Sequence, residues 1–155
     1  MKLLVDTSVW SLALRRKGTA SLSPDEQKLK AELVQAIQDG RVAMLGLLRQ
    51  ELLSGIKEKA QFDKVKAALG PYLDEPINTA DHEYAARAYN ECRSQGVEAG
   101  TVDILICAVA ARRGWEILSR DGGLNRCLAV TKKFYEKQKR ASATEEVKTR
   151  RTSRK

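Results

Sequence analysis

The decisive stretch is Met1-Lys2-Leu3-Leu4-Val5-Asp6-Thr7-Ser8-Val9-Trp10, an aliphatic run that ends in a carboxylate followed by two hydroxyl side chains. A short unbroken apolar run of this kind reads as a strand covered on both faces, as in parallel sheets. A carboxylate cannot be buried alone in a low-dielectric interior, so Asp6 belongs at the carboxyl edge of that strand, facing a cleft. In open α/β sheets that edge is where ligands bind. Whatever joins Asp6 there must come from other strand ends and from the helices that follow them.

Outward from this strand, strands and helices alternate. Val9 to Leu14 begins a short helix, and Arg15 to Ser21 reads as an exposed connection. Ser23-Pro24-Asp25-Glu26 is a helix start, with Ser as cap, Pro in the first turn and Glu three residues after the cap. Asp39-Gly40 ends that helix, and Val42 to Leu45 is a second short strand. Leu47 to Lys57 returns to helical spacing, with Leu48, Leu52 and Ile56 on one stripe and Glu51 beside it. A helix through Phe62, Val65 and Leu69 is closed by Gly70-Pro71, and Tyr72-Leu73 with Pro76-Ile77 suggests a short irregular strand or edge segment. Thr79 to Gln95 is a long helix. Thr101 to Arg113 is so apolar that it belongs in the centre, with Asp103 in its first turn. Trp115 to Ser119 is a strand leading into Arg120-Asp121-Gly122-Gly123, and Leu128 to Val130 suggests a last short strand. The alternation argues for an α/β fold with a doubly wound, largely parallel sheet.

The 155 residues suit one domain of 1–130 followed by a basic tail. Of 28 Lys and Arg, ten lie in residues 131–155 against three acids there, so the tail carries net +7 of the overall +8. Nucleic-acid binding by bulk charge is therefore an argument about the tail, not the body. Its lack of apolar residues beyond Tyr135 predicts disorder. It serves either as a solubilising extension or as an arm on RNA, with Lys132, Lys133, Lys137, Lys139 and Arg140, together with Arg120, as candidate phosphate contacts. No apolar run is long enough to span a membrane, and no signal pattern opens the chain, so a cytoplasmic protein is expected. Cys92, Cys107 and Cys127 lack any CxxC spacing and read as core thiols. His82, the single histidine, reads as a surface residue, and its isolation excludes paired-histidine chemistry.

Four acids stand apart by context: Asp6 and Asp121 at strand ends, Glu51 beside a core stripe and Asp103 opening the apolar helix. Singly each has an ordinary explanation, such as helix capping or the helix dipole. Together they converge on one sheet edge, where two like charges about 4.5 Å apart repel by roughly 3–4 kcal/mol at an effective dielectric of about 20. Such a cluster calls for a compensating cation or a protonated member, and oxygen ligands without His or Cys select Mg²⁺ or Mn²⁺. That ion suits phosphodiester hydrolysis. Thr7, Ser8, Thr101 and Ser119 are placed to orient carboxylates or water.

Asp6-Thr7-Ser8-Val9-Trp10, Glu51-Leu52-Leu53-Ser54-Gly55, Asp103-Ile104-Leu105-Ile106-Cys107-Ala108 and Leu118-Ser119-Arg120-Asp121 resemble the ordered motifs of PIN-domain ribonucleases. The VapC-type toxins of bacterial toxin–antitoxin pairs are the most similar group. The resemblance spans residues 1–130. It implies a three-layer α/β/α sandwich with a mainly parallel central sheet, and a metal-dependent endoribonuclease in which Asp6, Glu51, Asp103 and Asp121 are catalytic and hold Mg²⁺ or Mn²⁺. It also implies an RNA substrate, a VapB-like antitoxin and a homodimer. Gly122-Gly123-Leu124 departs from the pattern, since many relatives carry a further acid and an aromatic there. Two other functions compete: a PIN-like RNA-binding module without catalysis, and a haloacid-dehalogenase-like phosphatase. The latter usually needs a second Asp where this chain has Ser8.

Overall fold

A computed structural model describes residues 1–14 and 21–154. The connection expected between Arg15 and Ser21 thus lies almost wholly outside the described residues. Among these residues three short strands form the sheet: β1 (Leu3–Val5), β2 (Val42–Ala43) and β3 (Glu116–Leu118). They pair in parallel in the order β2-β1-β3, with Leu3 opposite both Val42 and Glu116. The central position of β1 explains its composition, because Leu4 and Val5 are fully buried. The chain leaves β1 toward β2 on one side and reaches β3 on the other. The carboxyl end of β1 is therefore the point where the winding reverses, and Asp6 is the first residue beyond it.

Among the described residues seven helices connect and cover the strands: α1 (Thr7–Leu14), α2 (Pro24–Gln38), α3 (Gly46–Ser54), α4 (Lys59–Leu69), α5 (Thr79–Ser94), α6 (Thr101–Arg113) and α7 (Gly122–Thr152). α1 packs on α2 and α3, and α3 on α4, while α5, α6 and α7 form a second packed group, which gives an α/β/α sandwich around the sheet. The cap expected before α2 forms reciprocally: the Glu26 amide donates to Ser23 Oγ at 3.2 Å and the Ser23 amide to Glu26 Oε1 at 3.1 Å. α6 is the central helix, with Ile104 and Ile106 to Ala111 buried. It ends where Gly114 turns left-handed at φ 68°, a conformation that costs any residue with a Cβ. Cys92, Cys107 and Cys127 are buried thiols on α5, α6 and α7.

Three expectations need correction. Leu128 to Val130 is not a strand but part of α7, because Leu124, Cys127, Leu128 and Thr131 recur at helical spacing and are buried together. Tyr72-Leu73 and Pro76-Ile77 form no strand among the described residues. Only an isolated parallel bridge, Met44 to Asp74, stands there. The segment beyond Tyr135, expected without regular structure, continues α7 through Thr152. Phe134 and Tyr135 anchor its first half on Tyr84, with ring centroids 6.0 and 5.3 Å away. Past Gln138 every described residue is exposed. Low hydrophobicity alone suggested disorder, yet no Gly or Pro follows Gly123, and Lys, Arg, Glu and Ala are strong helix formers. The division at residue 130 therefore falls within one continuous helix.

Candidate active site

The Asp6 backbone extends the β1–β3 pairing, its amide donating to Leu118 O at 2.9 Å. This fixes the root of the side chain. Its Oδ2 accepts hydrogen bonds from Ser8 Oγ at 2.7 Å and Ser119 Oγ at 2.9 Å. Ser119 is buried, and its Oγ also accepts the Asp121 amide at 3.0 Å, so one hydroxyl sets the spacing of two acids. Asp121 caps α7: its Oδ1 accepts the amides of Gly123 at 2.8 Å and Leu124 at 3.3 Å. The cap occupies one carboxylate oxygen and leaves Oδ2 outside it. Ordinary capping and a place in the cleft are thus compatible for Asp121. Gly123 belongs here sterically, since a Cβ would stand 3.2 Å from Asp121 Oδ1.

Asp103 and Glu51 reach the same edge from α6 and α3. Burial raises the Asp103 carboxyl above its usual range, and the charges of Asp6 and Asp121 raise it further. Burial likewise raises Glu51, followed by the charges of Asp6 and Asp103, with the Thr7 hydroxyl opposing through a hydrogen bond. Asp103 thus feels the charges of Asp6 and Asp121, and Glu51 those of Asp6 and Asp103. Among the described residues no Lys or Arg makes an ion pair with any of them.

Asp103 stands between two grooves. One, of about 480 Å³, is lined by Asp103, Asp121, Tyr89, Arg93 and Glu98. The other, of about 410 Å³, holds Glu51, Gln50 and Val102. Tyr89, Arg93 and Glu98 were not singled out from the sequence. Tyr89 and Arg93 sit four apart near the end of α5, and that i, i+4 spacing ahead of Gly96 was the available signal. The donor set, all hard oxygens with surplus negative charge, fits a divalent cation in chemistry. Among the described residues, however, no three acid, His or Cys side chains are drawn together closely enough to hold one as they stand.

The remaining expected residues divide. Thr7, Ser8 and Ser119 contact the acids as described. Thr101 does not: it is exposed at the start of α6 and lines a separate groove with His82 and Tyr89. Arg120 is paired with Glu26 at 2.6 Å, and Lys132 with Glu116 at 2.6 Å. Lys133, Lys137, Lys139 and Arg140 are exposed on α7, with Lys139 5.5 Å from the Tyr135 ring centroid. His82 is exposed on α5.

The sequence profile of the PIN domain matches residues 3–127, most of the chain and all four acids. The chain belongs to the PIN-domain family. Its fold is similar to that in the crystal structure of FitAcB from Neisseria gonorrhoeae, with a TM-score of 0.62 at 18% identity, covering 83% of this chain and 92% of that one. A comparison with curated proteins finds no match. No helix among the described residues is long and apolar enough to cross a membrane.

Proposed function

We propose that this chain is a metal-dependent endoribonuclease that hydrolyses RNA phosphodiester bonds at the edge where Asp6, Glu51, Asp103 and Asp121 meet. The observation that carries the reading is electrostatic: Asp103 and Glu51 are raised by burial and by neighbouring carboxylates, and among the described residues no Lys or Arg is paired to the cluster. Evolution rarely leaves such repulsion at a cleft without a use for it. The four carboxylates would hold Mg²⁺ or Mn²⁺, which when bound stabilises charge on the phosphodiester and acidifies water. Ser8 and Ser119 keep Asp6 oriented, so that its charge needs no rearrangement when substrate arrives. Ser119 and the α7 amides fix Asp121 in the same way. A carboxylate with a raised proton affinity, Asp103 or Glu51, can take the proton released as water attacks. Arg93 in the adjoining groove offers a cation to a phosphate oxygen, and Tyr89 offers a ring face to a base.

The four motifs and the PIN fold also support a toxin of the VapC type, with a VapB-like antitoxin as partner, a homodimeric state and a cytoplasmic location. The separation of the acids favours one other reading, an RNA-binding module without catalysis. Cleavage of single-stranded RNA after EDTA treatment and after Mg²⁺ or Mn²⁺ is restored decides between them. Cleavage is expected to stop and return, and cleavage indifferent to chelation would remove the metal from the reading. As a control, His82→Ala should keep wild-type turnover, because His82 is exposed and outside the acid cluster.

A further inference from the structure

α7 starts at the acid cluster and ends in solvent. Taken at 100° per residue, Arg126, Lys133, Lys137, Arg140, Lys148 and Arg151 fall on one narrow face of this helix. All six are exposed, and among the described residues none makes an ion pair. This separates them from Lys132 and Arg120, whose charges are already matched. The acids of this segment, Glu136, Glu145 and Glu146, lie off that face. At 1.5 Å rise per residue the stripe runs about 38 Å from Arg126 to Arg151. Its first member sits at the site: the Arg126 guanidinium lies over the Gly122-Gly123 backbone, 3.5 Å from where a Gly122 Cβ would stand.

Such a stripe is unfavourable on its own. Like charges three and four residues apart on a helix each cost a few tenths of a kcal/mol, and the part beyond Gln138 has no tertiary packing to offset them. A linear polyanion removes the repulsion and releases its own counterions.

We infer that this face of α7 is a rail for the phosphodiester backbone of single-stranded RNA, leading the strand along the helix to Asp121. The inference rests on the nuclease reading for its purpose, but its grip is on phosphates and does not require cleavage. A solubilising extension would use the same charges without regard to face. An acidic protein partner would use the face without binding RNA.

The experiment measures RNA affinity against salt by fluorescence anisotropy in EDTA, on full-length chain carrying Asp6→Asn so that no strand is cut. Lys148→Gln/Arg151→Gln removes two charges from the stripe. Arg150→Gln/Arg154→Gln removes two from the same segment on other faces. The slope of log affinity against log salt should fall by about 1.4 for the first pair, at about 0.7 per lost single-strand contact, and stay unchanged for the second. Ser142→Pro should lower the slope like the first pair, because it breaks the helix before Lys148 and Arg151. Single-stranded DNA of the same sequence should show the same changes, since the rail reads phosphates. Equal losses for the two pairs would reduce the stripe to diffuse charge, and no loss for either, or a full slope in Ser142→Pro, would overturn it. A slope change on RNA alone would overturn the phosphate reading. Failure of cleavage in the EDTA and Mg²⁺ test would leave these slopes untouched, so the two proposals fall separately.

Discussion

The molecule holds carboxylates in two opposite ways. Asp81, at the start of α5, is fully buried and meets Arg112 and Arg113 from the end of α6, the latter at 2.9 Å. Burial pushes its carboxyl up, but the Asn78 amide, the Arg112 hydrogen bond and the charges of Arg113 and Arg112 outweigh it and hold the group below its usual range. At the sheet edge, Asp6, Glu51, Asp103 and Asp121 are less buried, yet burial and one another's charge push Asp103 and Glu51 the other way. One carboxylate is matched by two arginines of its own fold, whereas among the described residues no Lys or Arg forms an ion pair with the four. Depth of burial does not separate Asp81 from the four acids of the sheet edge; the sign of the surrounding charge does.

The contrast predicts where each substitution registers. Asp81→Ala should be the largest in stability, about 3–5 kcal/mol, since it strips the partner from two arginines and removes half of the Asn78 capping box. Urea unfolding checks this, and a loss under about 1 kcal/mol would make Asp81 a surface acid in effect. Asp6→Asn should do the reverse. Cleavage should fall on the order of a hundredfold or more, the scale of losing one preorganised electrostatic group, while the metal-free melting temperature holds or rises. Wild-type cleavage by this variant would dissolve the distinction. Glu51→Gln should lower cleavage by about tenfold, less than Asp6→Asn, because Glu51 is exposed and its side chain is not pinned by two serines. A loss as deep as that of Asp6→Asn would place Glu51 at the centre of the chemistry.

Much of this was legible along the chain. The aliphatic run into Asp6, the Ser23 cap and the apolar α6 each carry a local signal that tertiary packing then respects. The four acids were legible as well, because strand ends and helix starts of a parallel sheet share one edge. Three features were not. Thr101 shares the start of α6 with Asp103, but the helix turns it toward another groove, a matter of angle rather than spacing. The pairing of Arg120 with Glu26 joins residues far apart in sequence, which composition cannot foresee. α7 was hidden because Leu128-Ala129-Val130 imitates a strand when its neighbours Leu124, Cys127 and Thr131 are not counted with it.

The smallest effect is also the most direct probe of charge sign. Asp103 has a proton affinity raised by folding, so the folded state holds this proton more tightly than the unfolded chain does. The native state therefore loses stability as pH rises from the ordinary carboxylate value through the raised one, and regains it below about pH 4. Asp81 contributes oppositely, through a depressed affinity whose stabilising effect is lost only as pH falls through that lower value. In metal-free protein, Asp103→Asn should melt higher than wild type at neutral pH, by a few tenths to about 1 kcal/mol, because the group is partly solvent-screened. The difference should close as pH drops toward 4, where Asp103 is protonated in both states and resembles Asn. Added Mg²⁺ should reverse the order at neutral pH by stabilising wild type alone. A melting difference that stays constant from pH 4 to 8 would mean that Asp103 feels neither burial nor its neighbours' charge, and the sheet edge would then be no more strained than the site at Asp81.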